Sequence, residues 1–464
     1  MRSIAIGILC MVCSYPVLAR LLVHSTGPGG GVAGPMRAAD FTGKLGFNTN
    51  FNAGETQADI LAALTTLGGF PYVIRDSLWS GSAFPTGATY NSLLSASNVR
   101  LHLGYQGATG IPSTPMATWI NDLKTNIVTP FPGRLIGVAG PNEPDNQGFT
   151  YSDGSGGTAP AGITAANTAQ ADLFAAMRAD PALRSIPVDM WPAACGYSAN
   201  VCGYQTVVGN QTAVCDRTNL HAYFGTDQTN QPTGQGAPPA PGNFTIQNSM
   251  YLSNFSYRNN ALAHCNHAPF VITESGWQVP WTDGFLYSSN TDERTRARLV
   301  LDAWFDCAAV SDCKGYYYYN LHENGNHWGI TTSIGAATAS SDAVKNMMTV
   351  LNDPAGDALT FLPVRLPYTV SGLIGDGTDN VFQLEKSGGK YDYLLWREMP
   401  IFNMSTGADI TITSISVTVS WAPAVMSGGV YDPVNNGTTP ISTFSGVTSV
   451  LVSLNDAPLI IEAQ

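Results

Sequence analysis

The feature that most constrains this chain is a repeated alternation. Between about residues 44 and 320, short apolar runs trade places with stretches of helical periodicity. The runs fall at 44–51 (KLGFNTNF), 72–79 (YVIRDSLW), 99–105 (VRLHLGY), 135–140 (LIGVAG), 188–192, 218–224 (TNLHAYF), 270–273 (FVIT) and 315–320 (GYYYYN). Helical stretches lie between them at 57–67, 90–96, 117–125, 164–179, 246–263 and 292–305. Strands alternating with helices imply a parallel sheet. Eight such units over some 300 residues match an α/β fold of the (β/α)8 TIM-barrel kind. The rival is an open doubly wound sheet, but the glycine fingerprint of that fold is absent. The glycine-rich stretch 27–34 (GPGGGVAG) has no strand before it and no Gly-Lys-Ser/Thr at its end, so it reads as a linker.

The texture changes near residue 355. Stretches of alternation at 391–396 (YDYLLW), 410–420 (ITITSISVTVS) and 449–454 are separated by Gly, Asn, Asp and Pro. They predict a C-terminal antiparallel β-sandwich over 355–464, following a barrel over 35–354. No Ser/Thr/Pro-rich linker parts the two, so the sandwich is expected to pack on the barrel.

The first residues set the compartment. Arg2, the apolar run 4–12 and Val17-Leu18-Ala19 resemble a signal peptide over 1–19, which predicts a secreted or periplasmic protein. No later apolar stretch approaches the ~20 residues of a membrane span. Beyond Cys10 and Cys13, the remaining cysteines are Cys195, Cys202, Cys215, Cys265, Cys307 and Cys313. In an oxidising compartment they are expected to form disulfides; Cys195 with Cys202 and Cys307 with Cys313 are close in sequence. Zinc is the alternative, and no Cys-x-x-Cys spacing favours it. The net charge of −12 and the absence of any Lys/Arg cluster argue against nucleic acid and anionic membranes as partners. An oligo- or polysaccharide needs no basic field, and a monomer without a cofactor is the expectation.

In a barrel, chemistry sits where strands end at their C-terminal side. The fourth run is followed by Gly140-Pro141-Asn142-Glu143-Pro144, and the seventh by Glu274-Ser275-Gly276-Trp277. Two carboxylates on one face suit retaining glycoside hydrolysis, in which one protonated carboxyl assists the leaving oxygen and an ionised one, about 5 Å away, attacks the anomeric carbon.

These motifs resemble those of the clan A glycoside hydrolases, where an Asn-Glu pair ends strand 4 and a Glu ends strand 7. The resemblance covers the barrel and extends to the C-terminal sandwich. It implies Glu143 as acid/base, Glu274 as nucleophile, and Asn142 as the holder of a sugar 2-hydroxyl. It implies Arg75, in the second run, as the cation beside Glu274. His221 and Tyr223 end the sixth run and point to one side by alternation; the resemblance gives Tyr223 a hydrogen bond to the nucleophile and His221 a place lining the site. Many clan members carry a Trp platform at strand 8. Here that strand holds Tyr316 to Tyr319 instead, so Trp79, Trp277, Tyr319 and Trp328 are the candidate platforms. Half of the tyrosines must face the helices. Glu323 is a competing carboxylate near the same rim, and His322, Glu323 and His327 lack the His-Glu-x-x-His spacing of a metal site. A non-catalytic carbohydrate-binding protein and a transglycosylase remain as alternatives to a hydrolase.

Overall fold

The strand-forming residues are buried on both faces, and such strands are stable only with helices outside and filled space inside. The structure is a computed structural model that describes residues 36–464 apart from 52–53, 80–84, 195–203, 224–243, 246–260, 268, 280–290, 326, 375–378 and 404–407. The signal-peptide segment, the glycine-rich stretch, the Cys195 and Cys202 pair and most of the 246–263 helix lie outside the described residues.

Eight parallel strands form one sheet: β1 (Leu45–Asn48), β2 (Val73–Leu78), β3 (Arg100–Tyr105), β4 (Leu135–Ala139), β5 (Val188–Asp189), β6 (Thr218–His221), β7 (Phe270–Ser275) and β8 (Cys313–Tyr318). Their order is β5-β4-β3-β2-β1-β8-β7-β6. The remaining gap is bridged by the isolated pair Asp189 and Arg217. Two backbone bonds support it, Asp216 N to Val188 O at 2.7 Å and Met190 N to Arg217 O at 3.1 Å. This is the barrel of the sequence reading. Helices begin at legible caps. In α1 (Gln57–Thr66), Thr56 and Asp59 form a reciprocal capping box. In α2 (Glu293–Ala309), the Asp292 side chain accepts from Thr295 N.

Tyr316 and Tyr318 face outward into the main core, while Tyr317 points into the barrel beside Val73, Val271 and Ile136. The barrel interior also holds a buried polar network across the thin seam. Asp189 accepts from Arg217 Nε at 2.5 Å and Nη2 at 2.8 Å, and meets His102 Nε2 at 2.6 Å. Burial pushes the Asp189 carboxyl up, but Arg217 and His102 outweigh it and hold the group below its ordinary value. Removing one partner of a buried pair costs about 3–5 kcal/mol, because the other is left uncompensated. Asp189→Ala is therefore expected to lower the urea midpoint sharply at unchanged m-value. A loss under about 1 kcal/mol would show that the seam holds without the pair.

The C-terminal region is an antiparallel sheet of β9 (Tyr368–Ser371), β10 (Asp379–Lys386), β11 (Lys390–Arg397), β12 (Ile415–Tyr431), β13 (Ser442–Leu454) and β14 (Leu459–Ala463). The short strand Met36–Arg37 joins its edge in parallel to β10. β12 has a register break between Ser420 and Val425, so its first half pairs with β9 and its second half with β14, while β13 runs along both. Val417 and Val419 meet Tyr393, Leu395, Leu459 and Ile461 in one apolar cluster, the filling of a sandwich. On the opposite face Leu394, Trp396 and Ile460 join the barrel core. α2 lies at this junction and is buried from Thr295 to Ala308. Two of its polar side chains are met from the C-terminal region: Arg298 pairs with Asp409 at 2.8 Å and with Asp456, and Trp396 Nε1 donates to Asp306 at 3.0 Å. Disulfides join Cys215 to Cys265 and Cys307 to Cys313.

Candidate active site

Parallel pairing sets the levels of the side chains at the C-terminal rim. Register places Arg75 between Asn48 and His102, and Glu274 opposite His221. All these strands open onto one polar cavity of about 340 Å³.

Glu274 is held by two donors of different kinds. Arg75 Nη1 donates to its Oε1 at 2.6 Å, and the Tyr223 hydroxyl donates to its Oε2 at 3.0 Å. Arg75 is itself oriented by Asn48 Oδ1 at 3.0 Å and by Asn142 Oδ1. Each carboxylate oxygen of Glu274 thus meets a different donor, a guanidinium on one side and a phenol on the other. Burial raises the Tyr223 phenol far above its ordinary range, as does the carboxylate beside it, so it remains a donor.

Glu143 stands in a different environment. It has φ of 43°, a left-handed conformation rare for a residue with a side chain. Pro144 disfavours the right-handed helical alternative at the preceding residue. The strained backbone is pinned by three bonds: Glu143 N to Pro192 O at 3.1 Å, and Glu143 O from Asn146 N at 3.0 Å and Gln147 N at 2.8 Å. Gln147 Nε2 also donates to the carboxyl Oε2 at 3.1 Å. Burial raises the Glu143 carboxyl above its usual range, against the pull of Asn146, Gln147 and Arg75. The two glutamates thus have different surroundings: Glu274 meets a guanidinium and a phenol, and Glu143 meets side-chain amides and an imidazole.

His221 sits between them. Its Nδ1 lies 2.6 Å from Glu143 Oε1 and 3.4 Å from Glu274 Oε2. Burial drives its pKa down to about 3, more than Glu274 raises it, so the ring is neutral and the Glu143 contact is a hydrogen bond. One oxygen of Glu143, one of Glu274 and a His221 nitrogen all lie within 4.8 Å of one another. That spacing would admit a metal ion, but the Arg75 guanidinium already sets a cation against Glu274.

Seven of the ten residues singled out in the sequence line the cavity: Asn142, Glu143, Glu274, Arg75, Tyr223, Tyr319 and Trp328. His221 is fully behind them. Trp79 and Trp277 are absent from the lining. Trp79 is 6% exposed, and Trp277 is completely buried, tilted against the Tyr318 ring at 6.3 Å. The cavity also contains residues that the sequence reading passed over: Thr49, Asn50, Asp76, Ser77, Gln106 and Gln147. Gln106 stands directly after β3, where the rule applied to β4 and β7 would have found it; its Oε1 accepts from Asn142 N at 3.0 Å. Burial pushes the Asp76 carboxyl up to about 7, with Glu55 adding to it and Thr49, Ser77 and Phe51 donating against it.

No known family profile matches the chain, and no curated protein matches it in sequence. Solved structures do match in shape. A glucosidase from Croceicoccus marinus shares 14% identity at a TM-score of 0.56, over 93% of this chain and 97% of that one. A GH30 endoxylanase from Clostridium papyrosolvens shares 10% identity at a TM-score of 0.50, over 93% of this chain and 98% of that one. At such identities the likeness is one of fold: a barrel of eight parallel strands followed by an antiparallel sheet region, similar to that of solved glycoside hydrolases over nearly the whole of both chains.

Proposed function

We propose that the protein is a retaining glycoside hydrolase acting on a neutral β-linked oligo- or polysaccharide. The observation that carries this reading is the approach of Glu143 and Glu274 to within 4.8 Å at the barrel's C-terminal rim. Retaining enzymes hold their carboxyls about 5–5.5 Å apart, whereas inverting ones leave room for a water at about 6.5–9.5 Å. Glu143, whose protonated form burial favours, gives its proton to the departing glycosidic oxygen while Glu274 attacks the anomeric carbon. In the second half Glu143, now ionised, draws a proton from the water that displaces Glu274. Arg75 and Tyr223 hold Glu274 fixed, and Asn142 is placed for the sugar 2-hydroxyl.

Charge supports an uncharged substrate. Among the described residues, Arg75 is the one cation lining the cavity, and Glu274, Asn48 and Asn142 already occupy it. Asp76, Glu143 and Glu274 share the walls, so a uronate or sulfate would meet carboxyls and no free cation. No described helix is long and apolar enough to cross a membrane, and the two disulfides fit an oxidising compartment outside the cytoplasm.

The test is stereochemical. A panel of neutral β-glycans and aryl β-glycosides is incubated with the protein, and proton NMR follows the first product. The β-anomer is expected to appear first and the α-anomer only by mutarotation. Initial release of the α-anomer, or turnover confined to uronides, would overturn the reading.

A further inference from the structure

The loop after β8 contains a carboxylate that the proposed chemistry does not use. Glu323 lies near the rim yet does not line the cavity. Its Oε1 accepts from Gly325 N at 2.7 Å and from His327 N at 2.9 Å, and its Oε2 accepts from Gly329 N at 3.0 Å. A carboxylate that gathers three backbone N–H groups is committed to its own loop and is unsuited to attack a sugar.

The same loop is tightly determined in other ways. Asn320 N donates to Trp328 O at 3.2 Å, Ile330 N to Asn320 O at 2.9 Å, and Glu323 N to Thr331 O at 3.1 Å. His327 has φ of 67°, a left-handed conformation that costs energy for a residue with a side chain. A Cβ at Gly329 would fall 2.2 Å from Glu323 N, so this close approach admits only glycine. His327 O accepts from Val279 N at 2.9 Å, which ties the loop to the one carrying on from β7.

What the loop presents is Trp328. Its ring meets Tyr223 edge-on at 5.1 Å and Tyr319 at 6.1 Å, and it packs on Gly276, where a Cβ would sit 3.2 Å from its Cε3. The indole therefore stands beside the phenol that holds Glu274, on the residue two places after that carboxylate. An aromatic face there offers an apolar surface to the C–H face of a sugar ring, at the place where the strand itself supplies tyrosines.

We propose that Glu323 is a positioning residue: by drawing the N–H groups on either side of Trp328 onto its carboxylate, it fixes the indole as the wall against which the sugar ring stacks. This inference rests on the glycosidase reading for its substrate, though not for its geometry. Three of the loop's N–H groups lose their acceptor in Glu323→Ala. In Glu323→Gln the amide oxygen keeps the Gly325 and His327 bonds, while the NH2 group faces the Gly329 N–H and cannot accept.

The experiment compares wild type, Trp328→Ala, Glu323→Ala, Glu323→Gln and the double variant Glu323→Ala/Trp328→Ala on the best neutral glycoside. Trp328→Ala is expected to raise KM on the order of 10-fold through lost aromatic contact. Glu323→Ala is expected to match it, with kcat changed far less, and Glu323→Gln to lie between. The double variant is expected to equal Trp328→Ala alone, because Glu323 acts only through Trp328. Additive losses in the double variant, or a wild-type KM in Glu323→Ala, would overturn the proposal. A readout without substrate separates this from the glycosidase reading. Acrylamide quenching of the Trp328 signal, taken as the difference between each protein and its Trp328→Phe counterpart, is expected to rise in Glu323→Ala. Unchanged quenching sinks the positioning role whether or not any glycoside is cleaved. Should Glu323→Ala fail to fold, Glu323→Gln carries the same quenching and KM comparison.

Discussion

Glu274→Ala is expected to reduce turnover of a natural glycoside by a factor on the order of 10⁴ or more, the scale at which removal of a nucleophile ordinarily registers. The loss is chemical and not structural. Arg75 keeps Asn48 and Asn142 as acceptors, so its guanidinium stays in place after the carboxylate is gone. The truncation opens a small space beside that cation and the Tyr223 hydroxyl, suited to a small anion. Azide added to the variant with an activated aryl β-glycoside is expected to restore turnover and to yield the α-glycosyl azide, because the anion attacks from the face that Glu274 occupied. Wild-type rates in the variant without azide would remove Glu274 from the mechanism. Rescue giving the β-azide would place the attacking group on the other face.

Glu143→Gln is expected to separate substrates by leaving group. General acid catalysis contributes about 10²–10⁴-fold, and only a poor leaving group needs it. Natural glycosides should therefore lose that much, while a dinitrophenyl glycoside keeps its first step and stalls in the second, for want of a base. Because burial holds the Glu143 carboxyl above its usual range, the acid form persists to higher pH than an ordinary glutamate allows. The alkaline limb of kcat/KM should follow that raised value in the wild type, falling as pH passes through it, and should vanish in Glu143→Gln. Equal losses on good and poor leaving groups, or an unchanged alkaline limb, would show that the proton comes from elsewhere.

What was legible in the sequence follows from what each residue needs. Glu143, Glu274, His221 and Tyr223 sit at or just past the ends of apolar runs and Arg75 lies within the second, so parallel strand register gathers them on one rim. Gln147 was not legible, since it reaches the cavity only through the turn that starts at the left-handed Glu143. Asp76 was not legible either, since its place in the cavity wall depends on Thr49 and Ser77, which donate to it from two different strand ends. Trp277 misled because adjacency to a motif says nothing of direction: its ring lies buried against Tyr318. In the fold, the barrel strands were clear because short apolar runs alternate with stretches of helical periodicity. β12 was read as ending near Ser420, where Trp421-Ala422-Pro423 interrupts the alternation; the strand continues because it bends there and changes partners. The charges of α2 suggest one solvent-facing side, yet that side is covered, and Asp409, Asp456 and Trp396 supply the partners from a part of the chain that no local pattern connects to it.

The pairing of Met36–Arg37 with Leu384–Glu385 has a consequence for the order of events during synthesis. One side of this small ladder is translated hundreds of residues before the other exists. α2 likewise leaves the ribosome with two of its faces destined for a sheet not yet made. The nascent barrel must wait, with Arg298 and Asp306 lacking their final neighbours, until the last strands arrive. Contacts so distant in sequence slow folding, since the intervening chain must be confined before they form. A version of the chain cut after the barrel would expose the apolar bed of β11 and β14 on the barrel's flank, and would be prone to cluster with its own copies. The two regions are thus one unit of biogenesis, whatever their separate architectures.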